Sequence, residues 1–539
     1  MANREDLAII RAARAGEAQA QLTLGKRYLF GGNGLPQSAG TAFHWLERAA
    51  RQGLADAWML IAQHIPYEVV VPLAKPQEAA QWYERAFDAG LTRAGLVFAR
   101  LVLDNPAVTA TISVELKHKA IRALEVVARE GDPDAQWLLA RQGERMLAPA
   151  TAASSNAIPG EAQSPAPADK AEELHQWTKK AADAGVEQAQ HALADAAWRQ
   201  SDFATFRQRA QPLADALLRQ HEGTVAQLNA PSEALAAALG AQNIQLLYRL
   251  AQVHMADKRP DLLHAQQLLE LAALACDRDA QLALGLLYGR LDQAGVRRFA
   301  GQGSANYKKA IRWLTLAGEQ GMAAAWYVLS RIYLKPEFSQ RNLADVQHYL
   351  ERAAEMGHVE AQVECGVGAW RNRRDDPGND VRALYWLQKA ATQGAQQART
   401  LLDKVADRPL AAEWAMRARA QLSREQINAH PFLAARIELA ALFGLTRPEA
   451  LLIDLKQADC GHCLMVDIRS QYARSKRRLI LVETGEQRGT LNRIGRLFED
   501  MDCGPAGPEG NYRQRLYRLK SVLPQVQEDD EVEEQDLAA

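Results

Sequence analysis

The sequence predicts a mainly α protein: an α-solenoid of helix hairpins followed by a small α+β C-terminal domain. Three observations carry that reading. A motif of large apolar residues, paired alanines and a glycine recurs through roughly the first 400 residues, the mark of a repeat architecture. β-Branched runs are scarce until about residue 450, while Ala, Leu, Gln, Glu and Arg, which lose little on entering a helix, are plentiful. Beyond about residue 430 the motif is gone, and short apolar runs alternate with amphipathic ones.

The second half of the motif reads Ala42-x-x-Trp45-Leu46-x-x-Ala49-Ala50-x-x-Gly53. It returns around Trp82 and Gly90, Trp177 and Gly185, Trp313 and Gly321, Tyr349 and Gly357, and Trp386 and Gly394. The first half, Leu22-x-Leu24-Gly25-x-x-Tyr28, recurs as Leu282-x-Leu284-Gly285-x-x-Tyr288. Large apolar residues at i, i+1 and i+4 form one helix face. Alanines one turn later admit a close neighbour, and glycine takes the C′ position where φ is positive. Each unit is therefore a helix hairpin with an apolar side that only stacking can bury. The tryptophans share one repeat position, which reads as packing between helices rather than ligand stacking.

This pattern resembles the Sel1-like branch of the tetratricopeptide superfamily, over most of residues 15–400. The resemblance implies a right-handed superhelix whose concave surface takes a protein or peptide partner, with no cofactor and no enzymatic activity. The residues agree on the last point, because no P-loop, G-x-S-x-G, H-E-x-x-H or Gly-rich dinucleotide turn occurs.

The expected organisation is Sel1-like repeats over 1–147, an Ala/Ser/Pro-rich disordered loop over 148–170, and further repeats over 171–404. The stretch 200–245 is helical in pattern but lacks the motif. Connecting helices over 405–430 lead to the α+β domain at 431–524, and residues 525–539 form an acidic disordered tail. In the α+β domain, a helix is expected over 431–443, then strands over 451–455, 463–468 and 479–482, then helices over 489–501 and 512–522.

This domain resembles the opening half of a tyrosine recombinase (integrase) catalytic domain. Leu442 to Ala450, reading Leu-Phe-Gly-Leu-Thr-Arg-Pro-Glu-Ala, looks like the first active-site box of that family. The family places its first catalytic arginine directly after Gly-Leu, where this chain has Thr446; Arg447 comes one residue late. The strand-borne lysine position falls near Ala473, with Lys476 close by, and no His-x-x-Arg box or nucleophilic tyrosine follows. The resemblance therefore implies a catalytically incomplete module, able at most to contact DNA or RNA. The residues for that contact are Arg469, Arg474, Lys476, Arg477 and Arg478, each cation able to neutralise one phosphate. The plainer reading of the same run is a solvated hairpin.

Cys460-Gly461-His462-Cys463 is a C-x-x-C at an expected turn between strands. Cys460, His462 and Cys463 supply too few ligands for a zinc site unless Cys503 joins them. They also lack the helix N-terminus that activates redox thiols. A structural role is the simpler reading. Five cysteines in 539 residues form no disulfide framework, and the N-terminus has no apolar h-region. No stretch is apolar enough to span a bilayer. These features predict a cytoplasmic protein without membrane contact. A net charge of −1 argues against binding to nucleic acid through the overall field, though not through a local patch.

Overall fold

The motif glycines end helices in one repeated way. Helix Ala39–Arg51 is followed by Gly53 at φ +92°, whose N–H donates to Ala50 O at 2.9 Å while Leu54 N–H reaches Ala49 O at 3.4 Å. This crossed pair is a Schellman motif, and positive φ at its C′ residue is what glycine makes cheap. Gly90, Gly185, Gly321, Gly357 and Gly394 repeat both bonds with φ between +93° and +98°. Gly131, at φ +100°, closes Val114–Arg129 identically. That hairpin lacks a motif tryptophan and escapes the sequence pattern. Ser201 occupies the same place after Glu187–Arg199 at φ +58°.

The computed structural model describes residues 4–31, 35–72, 76–104, 112–153, 167–298, 303–339 and 342–524. Among these, 29 helices and a small sheet of two strands give a mostly helical protein. The chain divides into two compact units, Met1–Ala275 and Cys276–Ala539.

In the first unit the hairpins run from Ala18–Phe30 with Ala39–Arg51 to Ala241–Ala256 with Leu262–Leu274. The expected motif-free stretch is filled by the 25-residue helix Phe203–Gln227, which carries Pro212 inside it, and by the short helix Glu233–Leu239. Helix Pro133–Ala153 passes residue 148 and Pro167–Asp183 starts before 170, so both ends of the expected 148–170 loop are helical. Alanine there favours helix despite the lack of bulky apolar groups. Residues 154–166 and the tail 525–539 lie outside the described residues.

The second unit holds the hairpins Arg278–Gly289 with Tyr307–Glu319, Ala323–Leu334 with Leu343–Glu355, and Val359–Arg371 with Asn379–Thr392. Hairpin partners approach closely at first-helix glycines: a Cβ on Gly285 or Gly366 would lie 2.7 Å from Leu314 or Leu387.

Successive hairpins are also tied by a buried or, at Gln190, half-buried glutamine. Gln362 Nε2 donates to Ala354 O, eight residues earlier, at 3.0 Å, and Gln21, Gln136 and Gln190 do the same to Ala13, Ala128 and Ala182. The acceptor is one of the last carbonyls of the preceding helix, which has no partner within that helix. In three repeats a glutamine at the helix C-cap donates to the glutamine of the preceding first helix: Gln52 to Gln21 at 2.8 Å, Gln320 to Gln281 at 2.9 Å and Gln393 to Gln362 at 2.9 Å.

After the last repeat helix, Gln396–Val405, come Glu413–Gln421, Arg424–Ala429 and Pro431–Phe443, the last stopped by Gly444 at φ +60°. Where the sequence suggests a strand at 451–455, the chain forms helix Arg447–Leu452 and the turn Leu455–Ala458. Thr446 and Glu449 make a capping box and Asp454 caps the following turn. Leu451, Leu452 and Ile453 are all buried, so no alternation distinguished strand from helix. The sheet thus has two strands, not three: β1 (Cys463–Val466) pairs antiparallel with β2 (Arg478–Leu481), Cys463 opposite Leu481 and Val466 opposite Arg478. Helices Gly485–Leu497 and Tyr512–Val522 follow.

Both faces of this small sheet are buried, in different cores. Cys463, Leu479 and Leu481 pack with Leu384, Leu387 and Leu402 of the last repeats. Leu464, Val466 and Ile480 point the other way, into the core of the C-terminal helices. Asp407 joins the edge of β2, its N–H on Leu479 O at 2.8 Å and its O accepting from Leu481 N–H at 3.0 Å. The α+β domain is therefore docked on the end of the repeats by strand alternation.

Candidate functional site

A groove of about 590 Å³ crosses the first helices of three consecutive hairpins in the second unit. Tyr327 comes from Ala323–Leu334, Val363 and Val367 from Val359–Arg371, and Gln396 and Gln397 from the start of Gln396–Val405. Glu360 and Arg371 are exposed at its rim. The tyrosine is held rather than loose. Its hydroxyl donates to Glu364 Oε1 at 2.8 Å, its ring stacks on His358 with centroids 4.3 Å apart, and the Arg331 guanidinium lies 4.8 Å from the ring centre. Arg331 is also paired with Glu364. Burial, and then the bond to Glu364, push the Tyr327 hydroxyl up to about 12. It stays a neutral donor.

The motif tryptophans do not form a ligand-binding row. Trp82, Trp313 and Trp386 are buried and Trp45 and Trp177 half-buried within the helical packing. Four carry a cation three residues on, over the ring face: Arg48 on Trp45, Arg85 on Trp82, Lys180 on Trp177 and Lys389 on Trp386. That spacing places both groups on one helix face.

In the basic segment 469–478 two cations tie distant parts of the fold together, Arg469 is exposed and bound locally to Asp467, and two cations face water. Arg469 chelates Asp467 through Nε at 2.8 Å and Nη2 at 2.7 Å. Arg477 grips Asp380 of the last repeat at 2.8 Å through both Nε and Nη2. Arg478 grips Glu449 at 2.9 and 2.7 Å and also donates to Gly444 O and Asp407. Burial pushes the Glu449 carboxyl up, but Arg478 and the Thr446 backbone outweigh it and hold it below the ordinary glutamate range. Arg474 and Lys476 are exposed. Tyr472 sits beside Tyr512, ring centroids 5.6 Å apart.

The recombinase-like box is also structural. Thr446 is an N-cap, and Arg447 is 5% exposed with its guanidinium 5.8 Å from the Trp414 ring. Behind it lies a cluster that sequence reasoning missed. Buried Arg436 binds Glu509 through Nε at 3.1 Å and Nη2 at 2.6 Å, and its Nη1 donates to Ala450 O and Ile453 O. Arg515, also buried, donates to Leu451 O and Cys503 O at 2.7 Å. Arg436 occurs singly in an apolar helix whose flanks hinted at burial, whereas Arg515 shares Tyr512–Val522 with Arg513, Arg518 and Lys520, and nothing in the sequence singled it out.

The C-x-x-C lies on the tight connection into β1. Cys460 N–H donates to Cys463 O at 3.1 Å, and the isolated bridge Asp459–Leu464 flanks it. His462 Nε2 donates to Val381 O at 3.0 Å, so the ring faces the repeat rather than a metal, and burial lowers its pKa. Cys503 packs instead beside Arg436, 3.6 Å from Nη2. Among the described residues no group of three or more His, Cys, Asp and Glu could hold a metal ion. Nor is any helix long and apolar enough to cross a membrane.

Helix hairpins in tandem, closed by one glycine motif and tied by one glutamine, define a helical-repeat protein. A sequence model of the Sel1 repeat matches residues 18–54, 73–91, 245–275, 278–322, 347–358 and 360–394, which fall in both units. Similar solved structures include a protective antigen of uropathogenic Escherichia coli strains displaying an SLR fold. It is 17% identical, with 96% of this chain and 93% of that chain covered and a TM-score of 0.45. A Sel1 repeat protein from Oxalobacter formigenes is 18% identical over 75% of this chain and 90% of its own, with a TM-score of 0.24. A putative Sel1 repeat protein from Klebsiella pneumoniae is 19% identical over 43% and 98%, with a TM-score of 0.24. No curated protein matches. The recombinase resemblance of residues 431–524 receives no support from these comparisons.

Proposed function

We propose that this chain is a non-enzymatic adaptor that binds a protein or peptide partner along the first helices of its Sel1 repeats. Sel1 repeats generally serve protein interaction. The observation that carries the reading is the groove over Tyr327, Val363 and Val367. A small apolar patch at Val363 and Val367 lies among Glu360, Arg371, Gln396 and Gln397, and the contacts of Tyr327 fix its shape in advance. A preformed, largely polar groove with a small apolar patch and charges of both signs at its edge suits a peptide that brings one apolar side chain among polar ones. The cytoplasm is the proposed setting, on the free state of all five cysteines.

The test is a crosslinked pull-down on the full chain and on Val367→Arg, each split into nuclease-treated and untreated halves. Val367 is half-buried at the groove surface, so arginine there fills the floor without opening the core. Partners that survive nuclease and are lost with Val367→Arg support the adaptor reading. Recovery of the same partners by both proteins overturns the assignment of the groove.

A second reading, an accessory factor that contacts DNA or RNA, is favoured by Arg474 and Lys476, which face water on a domain with fifteen Lys and Arg against eleven Asp and Glu over 431–524. It keeps only those two of its five cations free of carboxylate partners, since Arg469, Arg477 and Arg478 are engaged. Partners that vanish with nuclease treatment would favour it.

A further inference from the structure

Beyond the binding reading, we infer that Cys460 and Cys463 form a reversible dithiol–disulfide pair oxidised by hydroperoxides, with Cys460 the attacking sulfur and Cys463 the resolving one. The turn supplies the geometry. The Cys460 N–H to Cys463 O bond of 3.1 Å, with Asp459 and Leu464 paired outside it, holds residues three apart at the closed end of a hairpin. Turn ends of this kind lie within about 7 Å, and a disulfide needs Cα atoms about 4.4–6.8 Å apart. Cys463 Sγ lies 3.7 Å from His462 Nε2 on the same turn.

Accessibility sets the order of attack. Cys460 is half-buried, whereas Cys463 is 0% exposed, sealed against Leu384 and Leu402 of the last repeats. A reagent from solvent reaches Cys460 alone. The electrostatics point the same way. The neighbouring Cys463 thiol holds the Cys460 thiol below its ordinary value against the cost of burial and the Asp459 carboxylate, while the field of Arg477 is offset by its partner Asp380. The neighbouring Cys460, then burial, pushes Cys463 well up. The remaining buried thiols are poor competitors: burial raises Cys365 to about 12 and raises Cys503 as well.

The chemistry balances with a hydroperoxide as the only co-reactant. The Cys460 thiolate attacks the outer peroxide oxygen; the O–O bond breaks, the alcohol leaves with a proton, and Cys460 becomes a sulfenic acid. The Cys463 sulfur then attacks the Cys460 sulfur. The S–O bond breaks, its hydroxyl departs as water with the Cys463 proton, and the S–S bond forms. Two electrons pass from the thiols to one peroxide. The pair sits where His462 bonds Val381 O and where β1 packs on the repeats, so the new bond forms at the junction of repeats and C-terminal domain.

The experiment treats the full chain with hydrogen peroxide, alkylates the remaining thiols, and locates oxidation by peptide mass spectrometry. The expected product is a Cys460–Cys463 disulfide, reversed by dithiothreitol and formed at least tenfold faster than oxidation of Cys276, the other half-buried cysteine. Cys463→Ser should trap a dimedone-reactive sulfenic acid at Cys460, while Cys460→Ser should leave Cys463 reduced. Oxidation of Cys460 no faster than Cys276 overturns the proposal, as does equal oxidation of Cys463 in Cys460→Ser. Protection of both thiols by stoichiometric Zn²⁺ in the protein as purified would also overturn it, in favour of a metal site.

Discussion

Gln362 donates its side-chain amide to the carbonyl of Ala354 at 3.0 Å, and the oxygen of that amide accepts from Gln393 at 2.9 Å. One buried side chain thus satisfies the end of the preceding helix and receives the end of its own hairpin. Gln362 is 2% exposed, so no water replaces a lost bond. Gln362→Glu keeps the shape but removes the donor, placing a carboxylate oxygen against Ala354 O. It should cost about 1–3 kcal/mol at neutral pH. The loss should shrink as pH falls and the carboxyl protonates, because the acid form regains a donor. Urea unfolding of the full chain at several pH values reads this. Equal stability of the two proteins at neutral pH would mean the ladder is incidental.

In one repeat a tryptophan does the glutamine's work. Trp326 Nε1 donates to Gly318 O at 3.0 Å, again eight residues back. The acceptor position is alanine at Ala354, Ala182 and Ala128 but glycine here, because a Cβ on Gly318 would lie 2.5 Å from the indole ring. The two departures from the repeat are therefore one adaptation. Gly318→Ala alone should destabilise by about 1–3 kcal/mol through overpacking. In a Trp326→Gln background the same change should cost much less, giving a coupling above about 0.5 kcal/mol in a double-mutant cycle. Additive effects would separate the two residues.

The repeat was legible because its signals are local. Gly53, Gly321 and Gly394 mark C′ positions that any L-residue strains to fill, and their spacing exposed the hairpins. The glutamine ladder was legible in principle: Gln21, Gln136, Gln190 and Gln362 each follow a C′ glycine by five residues. Sequence reading passed them over because a polar residue near a turn looks solvated, and only the long-range bond reveals burial. The C-terminal domain was read as α+β with one strand too many. The run Leu451–Ile453 is apolar and buried throughout, so periodicity was silent, and the capping box at Thr446 and Glu449 decided for helix. The basic segment could not be apportioned from sequence, since Asp380 and Asp407, which take up Arg477 and Arg478, lie about 70–100 residues away in the chain.

That apportioning separates stability from any surface role. Arg478→Gln leaves Glu449 6% exposed without its bidentate partner, and breaking a buried pair costs about 3–5 kcal/mol. Arg474→Gln and Lys476→Gln should change stability by less than about 0.5 kcal/mol. Thermal unfolding of the single variants checks the contrast. A loss at Arg474 or Lys476 as large as at Arg478 would contradict the ion-pair assignment.

His358 gives the groove a pH dependence. Its ring nitrogen Nδ1 accepts from Ala361 N–H at 3.3 Å as the N-cap of Val359–Arg371, and the ring lies under Tyr327. Only the neutral ring can accept at Nδ1. Burial lowers its pKa, with Arg331 adding to the effect, while Glu360 and Glu364 oppose it. A histidine with a lowered folded pKa binds protons more readily when unfolded. Its stabilising contribution is therefore complete above the ordinary histidine value of about 6.5 and is lost as pH falls below it towards the folded value. Between pH 7 and pH 5 the chain should lose up to about 1 kcal/mol, the usual worth of an N-cap. His358→Asn keeps a cap without a titrating ring and should flatten that part of the curve, as followed by urea unfolding at each pH. If the two curves stay parallel between pH 7 and pH 5, His358 is not the titrating group.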